Sequence, residues 1–295
     1  MTDAVKGWLY GIAATFVGGL YTVYAQQAGR MGLDPLDLVA FRYAIAFVLM
    51  LPVFLKVAGR QNFAGLGLRR ALILSAVGGL GFVVFFFSGF VFAPLSHGAV
   101  LPPGASAVTG AVLAFFFRGE GFGKARIITL VLILSGLILV SGASFFGANS
   151  GTWRGDILFM LAGADWALFL VLLARWKVAS LSATAIVSVI TCIVFLPYYL
   201  ITGGYSNLAE VAPADILIQV VIQGFFAGFG GLYLFAKSAS YLSVAAASAL
   251  PGLMPVQALL LGALLFGLIP APIALAGAAL VIAGQWVGMG AKRST

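Results

Sequence analysis

Polar and charged side chains are confined to short breaks in this chain. Between the breaks lie ten apolar runs: Trp8–Ala25, Leu38–Leu55, Ala71–Phe92, His97–Phe117, Ile127–Ser144, Ile157–Ala174, Ala183–Ile201, Ile216–Ala236, Val244–Leu268 and Ile273–Val287. A hydrocarbon core of about 30 Å takes roughly 20 residues of helix to cross, and the runs are near that length, the last being short. None alternates with the period of a strand, and backbone surrounded by lipid must bond within itself, so the pattern predicts helices and not a barrel. Only Met1 to Gly7 precede the first run and nine more follow it, so that run is expected to be a retained span and not a cleaved signal peptide.

The runs repeat. Gly98-Ala99-Val100-Leu101-Pro102 and Ala247-Ser248-Ala249-Leu250-Pro251 are both proline-broken, small-residue segments near the start of a long run, with the prolines 149 positions apart. Gly136 matches Gly284 and Gly142 matches Gly290 at an offset of 148. A near-constant offset of half the chain points to duplication, with one repeat over 1–148 and the second over 149–295. Each half holds five spans, and an odd number makes the second copy enter the membrane from the opposite face. The expectation is an all-α integral membrane protein of ten transmembrane helices in two inverted five-helix repeats. In secondary transporters that symmetry places a substrate site near the midplane between the halves and allows alternating access.

Composition agrees, since 62% apolar and 8% charged residues cannot clothe a water-facing surface. The net charge of +8 raises nucleic acid as a partner, but its distribution favours a membrane leaflet. Thirteen basic residues (Lys6, Lys56, Arg60, Arg69, Arg70, Arg118, Lys124, Arg126, Arg175, Lys177, Lys237, Lys292, Arg293) fall on one side, and Arg30, Arg42 and Arg154 on the other. The positive-inside rule then puts both termini in the cytoplasm, with Asp34, Asp37, Asp156, Glu210 and Asp215 outside. The one cysteine, Cys192, excludes a disulfide within the chain.

Few residues inside the runs carry chemistry. Pro102 and Pro103 remove backbone donors and collide with the carbonyls of Gly98 and Ala99, and Pro251 and Pro255 act likewise on Ala247 and Pro251. The freed carbonyls either face a cavity and accept from a substrate ammonium, or are satisfied by neighbouring helices in a plain kink. Asp165 is the one acid in the interior of a run and a default functional candidate, as a cation ligand, a proton carrier or a helix brace. Trp166 follows it, and Phe82, Phe86 and Phe90 form an i, i+4, i+8 stripe that either stacks on substrate or packs. Gln219, Gln223 and Gln257 are expected to face the bundle interior, as cavity lining or interhelical glue. Asp37 is the expected N-cap of the second span, and Arg42 five residues on is placed to snorkel or to neutralise a carboxylate. His97 opens the fourth span, as a boundary residue or a switch. Gly7 with Gly11, Gly224 with Gly228 and Gly284 with Gly288 read as packing seams.

Other classes fit less well. Ser106 is nine residues from His97, about 900° around a helix, so a straight helix puts the two on opposite sides and no serine hydrolase forms. One His, one Cys and one intramembrane Asp do not make a metal site, and neither a charged ring nor a repeated filter loop marks a channel. Only Arg42 and Lys237 approach the spans, which disfavours phosphorylated substrates. No cofactor is implied.

The chain resembles the EamA-like, ten-span members of the drug/metabolite transporter superfamily over essentially its whole length. The likeness rests on Pro35 and Arg42 opening the second span, Gly119-Glu120 closing the fourth, Met254-Pro255-Val256 in the ninth, and Gly136 and Gly284. Ile269 and Ser106 depart from the pattern where the other copy has an acid or Pro255. Among relatives it looks most like bacterial aromatic amino-acid exporters of the YddG type. The resemblance implies an inner-membrane exporter of small organic solutes, most of all amino acids with aromatic or bulky apolar side chains, by alternating access. Substrate-binding candidates are Asp165, Trp166, Phe86, Phe90, His97, Pro102, Gln223, Pro251 and Gln257, with Arg42, Pro103 and Pro255 structural or gating. The partners implied are a small-molecule substrate and the lipid bilayer, with no nucleic acid, and a monomer is compatible. The alternative is a proton-coupled exporter of lipophilic cations, which Asp165 beside Trp166 would also suit.

Overall fold

A computed structural model describes residues 2–60, 62–118, 123–146, 151–242 and 250–291. Gly119, Glu120, residues 244–249, Lys292 and Arg293 lie outside the described residues, and Pro251 is described in its backbone alone. The described residues are helical and contain no strand. The helices are α1 (Asp3–Ala28), α2 (Pro35–Leu55), α3 (Gly67–Phe92), α4 (Leu95–Arg118), α5 (Lys124–Phe146), α6 (Trp153–Trp176), α7 (Ser180–Ile201), α8 (213–241), α9 (Met254–Phe266) and α10 (Pro272–Ala291).

Seven of them, α2 to α8, contain stretches long and apolar enough to cross a membrane. Among the described residues, α1, α9 and α10 fall short of that measure. Glycine, threonine and tyrosine dilute the hydropathy of the 26-residue α1. A 3-10 turn over Leu250–Leu253 precedes α9 and leaves it 13 residues, about 20 Å of helix.

Polarity is arranged inside out. Thr15, Thr22, Ser75, Ser188, Thr191, Gln219 and Gln223 are buried, while Val48, Phe116, Leu264 and Ile201 are exposed. In water that would be costly; in lipid, where every polar group needs an internal partner, it is the expected order.

The main helix contacts are α5 with α10, α2 with α7, α4 with α6, α1 with α9, α3 with α6, α1 with α8, α3 with α7 and α2 with α8. Exchanging α1–α5 for α6–α10 in order maps this set onto itself, the contact-level signature of a twofold-related duplication. The self-paired helices run antiparallel. A Cβ on Gly136 would meet the Gly277 carbonyl at 2.5 Å and one on Gly284 would meet Ile133, while Asp37 near the start of α2 bonds Tyr199 near the end of α7. The exchange therefore turns each helix end for end. All eight contacts join one repeat to the other, so neither repeat stands as a separate body. The helices instead group as one bundle of α3, α4, α6 and α7 and a second of α1, α2, α8 and α9.

One local feature recurs in both copies. Alpha-helical bonding gives way to π-helix over Ala76–Gly81 in α3 and over Val220–Gly230 in its counterpart α8. Such stretches displace the backbone ladder and are frequent at functional sites. The prolines, by contrast, act differently in the two copies. Pro102 and Pro103 sit inside α4, which runs on past them, whereas Pro255 lies in the first turn of α9, where its missing N–H is an orphan in any case.

Candidate functional site

The π-helical stretch of α3 is rich in glycine, and two of its glycines let α6 and α7 press onto its backbone. A Cβ on Gly78 would overlap the Phe169 ring, and one on Gly79 would overlap the Thr191 hydroxyl. On the same stretch a Cβ at Gly81 would lie 3.0 Å from Asp165 Oδ1. The Asp165 carboxylate therefore faces α3 inside the bundle and not the lipid. It lies against the Phe82 backbone N–H. Its Oδ2 is buried with no hydrogen-bond partner among the described residues.

Aromatic rings lead away from it. Trp166 is 5.1 Å from Phe82 and 5.2 Å from Phe169, Phe82 stacks on Phe86 at 5.6 Å, and Phe86 meets Tyr21 of α1 at 5.6 Å. Beyond Tyr21 comes Arg42 of α2, its guanidinium 5.4 Å over the ring. The ladder thus begins in one bundle at Asp165 and ends in the other at Arg42. Phe90 closes a side branch with Phe86 and with Phe159 at 4.9 Å. Phe86 is buried, whereas Tyr21, Arg42, Asp165 and Trp166 are partly accessible.

The remaining candidates lie apart from this line. Gln223 donates to the Tyr21 carbonyl at 3.1 Å and Gln219 to the Tyr24 carbonyl at 2.7 Å, so both staple α8 to α1. Gln257 lies between α9 and α1, 3.5 Å from the Ile12 carbonyl. The Pro102 carbonyl and Pro103 belong to the α4 wall; a Cβ on Gly163 of α6 would meet that carbonyl, so it faces a tight helix seam.

The partners of two buried acids were missed by reading the sequence. Asp156, expected on the outer side of the membrane, is fully buried and pairs with His97 Nδ1 at 2.6 Å, tying α6 to α4. Asp37 was expected as the N-cap of α2. The helix instead starts at Pro35 after Asp34, and Asp37, one turn in, accepts from the Asp34 N–H at 2.7 Å. It also accepts from Tyr199 and from Asn207. Both acids stand within a turn of a helix start, so hydropathy alone puts them in loops, and nothing local betrays partners 59 and 162 positions away.

A separate groove of about 360 Å³ lies between α4, α5 and α6, lined by Val108, Leu134, Leu137, Ile157 and Leu161 among others. Leu134 and Leu161 on its rim are exposed and its wall is nearly all carbon, so it faces lipid.

A twofold-duplicated helical membrane protein whose two bundles meet across a ladder of aromatic rings has an architecture that solute carriers use. The sequence profile of the EamA-like transporter family matches residues 5–142 and 153–288, and the chain belongs to that family of transporters. A solved structure, described only as the crystal structure of a protein, is 18% identical and superposes with a TM-score of 0.60 over 96% of this chain and 97% of its own, a likeness of fold. Comparison with curated proteins returns no match.

Proposed function

We propose that this transporter exports amino acids with aromatic or bulky apolar side chains across the bacterial inner membrane, in the manner of the YddG-type carriers it resembles. The observation that supports the reading is the Asp165 carboxylate, whose Oδ2 is buried without a hydrogen-bond partner among the described residues, beside Trp166 and a ladder of rings that reaches Tyr21 of the other bundle. A carboxylate accepts an ammonium, and stacked rings offer flat apolar surface to an indole or phenyl group. All ten helices cross the membrane in this reading, with termini in the cytoplasm and the Asp37 end outside, as the lysine and arginine distribution favours. Alternating access follows from rocking the two mixed bundles, and the repeats need not separate. Transport is facilitated and not proton-driven, since Asp165 stands without a chain of titratable neighbours on its helix.

Asp165 beside Trp166 also supports the second reading, a proton-coupled exporter of lipophilic cations. Uptake into liposomes of tryptophan, alanine and a quaternary ammonium dye, with and without an imposed pH gradient, separates the two. Saturable tryptophan flux indifferent to the gradient is the expected result. Dye flux that follows the gradient, without tryptophan flux, would overturn it.

A further inference from the structure

We propose that the groove between α4, α5 and α6 is a binding site for an anionic phospholipid of the surrounding bilayer, with one acyl chain in the groove and the headgroup phosphate on Arg154. The site is separate from the ring ladder, because Asp165 faces α3 from a different face of α6.

The groove exists because of how α5 packs. It pairs chiefly with α10 and leans on α4, and it barely meets α6. Among the lining residues Ala105, Thr109 and Ala164 are small, which leaves room where α4 meets α6, and Leu134 and Leu161 stand exposed on the rim. A concave, nearly all-carbon surface open to hydrocarbon suits an acyl chain and offers little to a polar solute.

One end of the groove carries a charge. On α6 the lining residues Ile157, Met160, Leu161 and Ala164 follow the i, i+3, i+4, i+7 spacing of one helix face. Trp153 stands four residues before Ile157 and Arg154 seven before Leu161, so the same face carries both just beyond the groove, at the start of α6. Both are exposed, and the guanidinium lies 5.6 Å over the indole. From Trp153 to Ala164 the helix rises about 16 Å, close to the roughly 15 Å depth of one leaflet. A chain lying in the groove therefore brings its headgroup to the level where tryptophan and arginine anchor helices at the interface.

Charge selects the headgroup. The lysine and arginine distribution leaves this side of the protein with Arg30, Arg42 and Arg154. Arg30 donates to Gln27 and Arg42 lies over Tyr21, whereas Arg154 stands at the mouth of a groove open to lipid. A guanidinium takes a phosphate in two parallel bonds. The nearest acid in the chain, Asp156, is two residues on and about 200° around the helix, where it is buried against His97. A headgroup ammonium finds no carboxylate there, so phosphatidylglycerol fits better than the zwitterionic phosphatidylethanolamine.

The test is native mass spectrometry of purified full-length protein in detergent with dioleoyl phosphatidylglycerol or dioleoyl phosphatidylethanolamine, together with crosslinking by a phosphatidylglycerol whose acyl chain carries a diazirine. Wild type is expected to hold one phosphatidylglycerol about fivefold or more tighter than phosphatidylethanolamine, and Arg154→Gln to lose that preference. Arg30→Gln, the same change of charge on the same side, keeps it. Leu161→Trp fills the groove and releases both lipids. Crosslinks in wild type concentrate on the segments of α4, α5 and α6 that line the groove. Equal affinity for the two lipids in wild type, an unchanged preference in Arg154→Gln, an equal loss in Arg30→Gln, or phosphatidylglycerol held unchanged by Leu161→Trp would overturn the assignment. Crosslinks spread evenly over every lipid-facing helix of wild type would overturn it with no substitution needed.

Discussion

The Tyr199 hydroxyl donates to Asp37 across 2.5 Å, joining the end of α7 to the start of α2. Asn207 donates to the other oxygen of the same carboxylate at 2.9 Å and to the Gly32 carbonyl at 3.0 Å. These bonds clasp the two bundles at one end of the α2–α7 seam, while at the other end Met50 packs with Ala185 and Val189. Hydrogen bonds elsewhere mostly stay inside a bundle, as with Ser75 to the Ile186 carbonyl and Gln219 to the Tyr24 carbonyl.

Tyr199→Phe keeps the ring and deletes the donor. Asp37 then holds a buried oxygen short of a partner, a cost of about 1–3 kcal/mol. The melting midpoint of the purified protein should fall by a few degrees, and a cysteine placed at Asn207 should react faster with a membrane-impermeant thiol reagent than in the parent. An unchanged midpoint and rate would show that the bond holds nothing shut.

His97 and Asp156 form a buried pair in which Asp156 Oδ2 has no partner among the described residues. Removing one member leaves the other uncompensated at a cost of about 3–5 kcal/mol, whereas an apolar pair of similar size is often tolerated. His97→Leu and Asp156→Leu should each lower folded yield sharply, with the double variant more stable than either. Double-variant yield below both singles would instead mark the pair as irreplaceable.

Trp166 contacts Phe82 and Phe169 and is partly accessible. If substrate stacks on it, Trp166→Ala weakens transport of tryptophan and phenylalanine by about two- to twelvefold and of alanine little, given about 0.5–1.5 kcal/mol per aromatic pair beyond area burial. Competition assays across substrate size read this directly. A uniform loss would assign Trp166 to packing.

The helical fold and the duplication were legible in the sequence because both are written in hydropathy, which lipid enforces along every run. Gly284 with Gly288 read as a packing seam, and a Cβ on either would strike α5. Asp165 stood out as the one acid in the interior of an apolar run, and the structure sets it against Gly81 of α3. Arg42 was expected to snorkel or to neutralise a carboxylate, and the engagement of Asp37 by Tyr199, Asn207 and the Asp34 N–H takes the nearest carboxylate away from it. The π-helical stretches had a signal in Gly78-Gly79-Leu80-Gly81 and in Gly224, Gly228 and Gly230, but glycine content alone does not distinguish a packing seam from a change of helix type. His97 with Asp156 is a tertiary pairing that hydropathy does not encode.

The most direct measurement is tryptophan counterflow. Liposomes holding the protein and unlabelled tryptophan are diluted into a trace of labelled tryptophan, and internal label is followed over time. A carrier that exchanges substrate through Asp165 predicts a transient overshoot of label above equilibrium in wild type, and none in Asp165→Asn purified at equal folded yield. Entry of label without overshoot in wild type, or full overshoot in Asp165→Asn, would contradict the account.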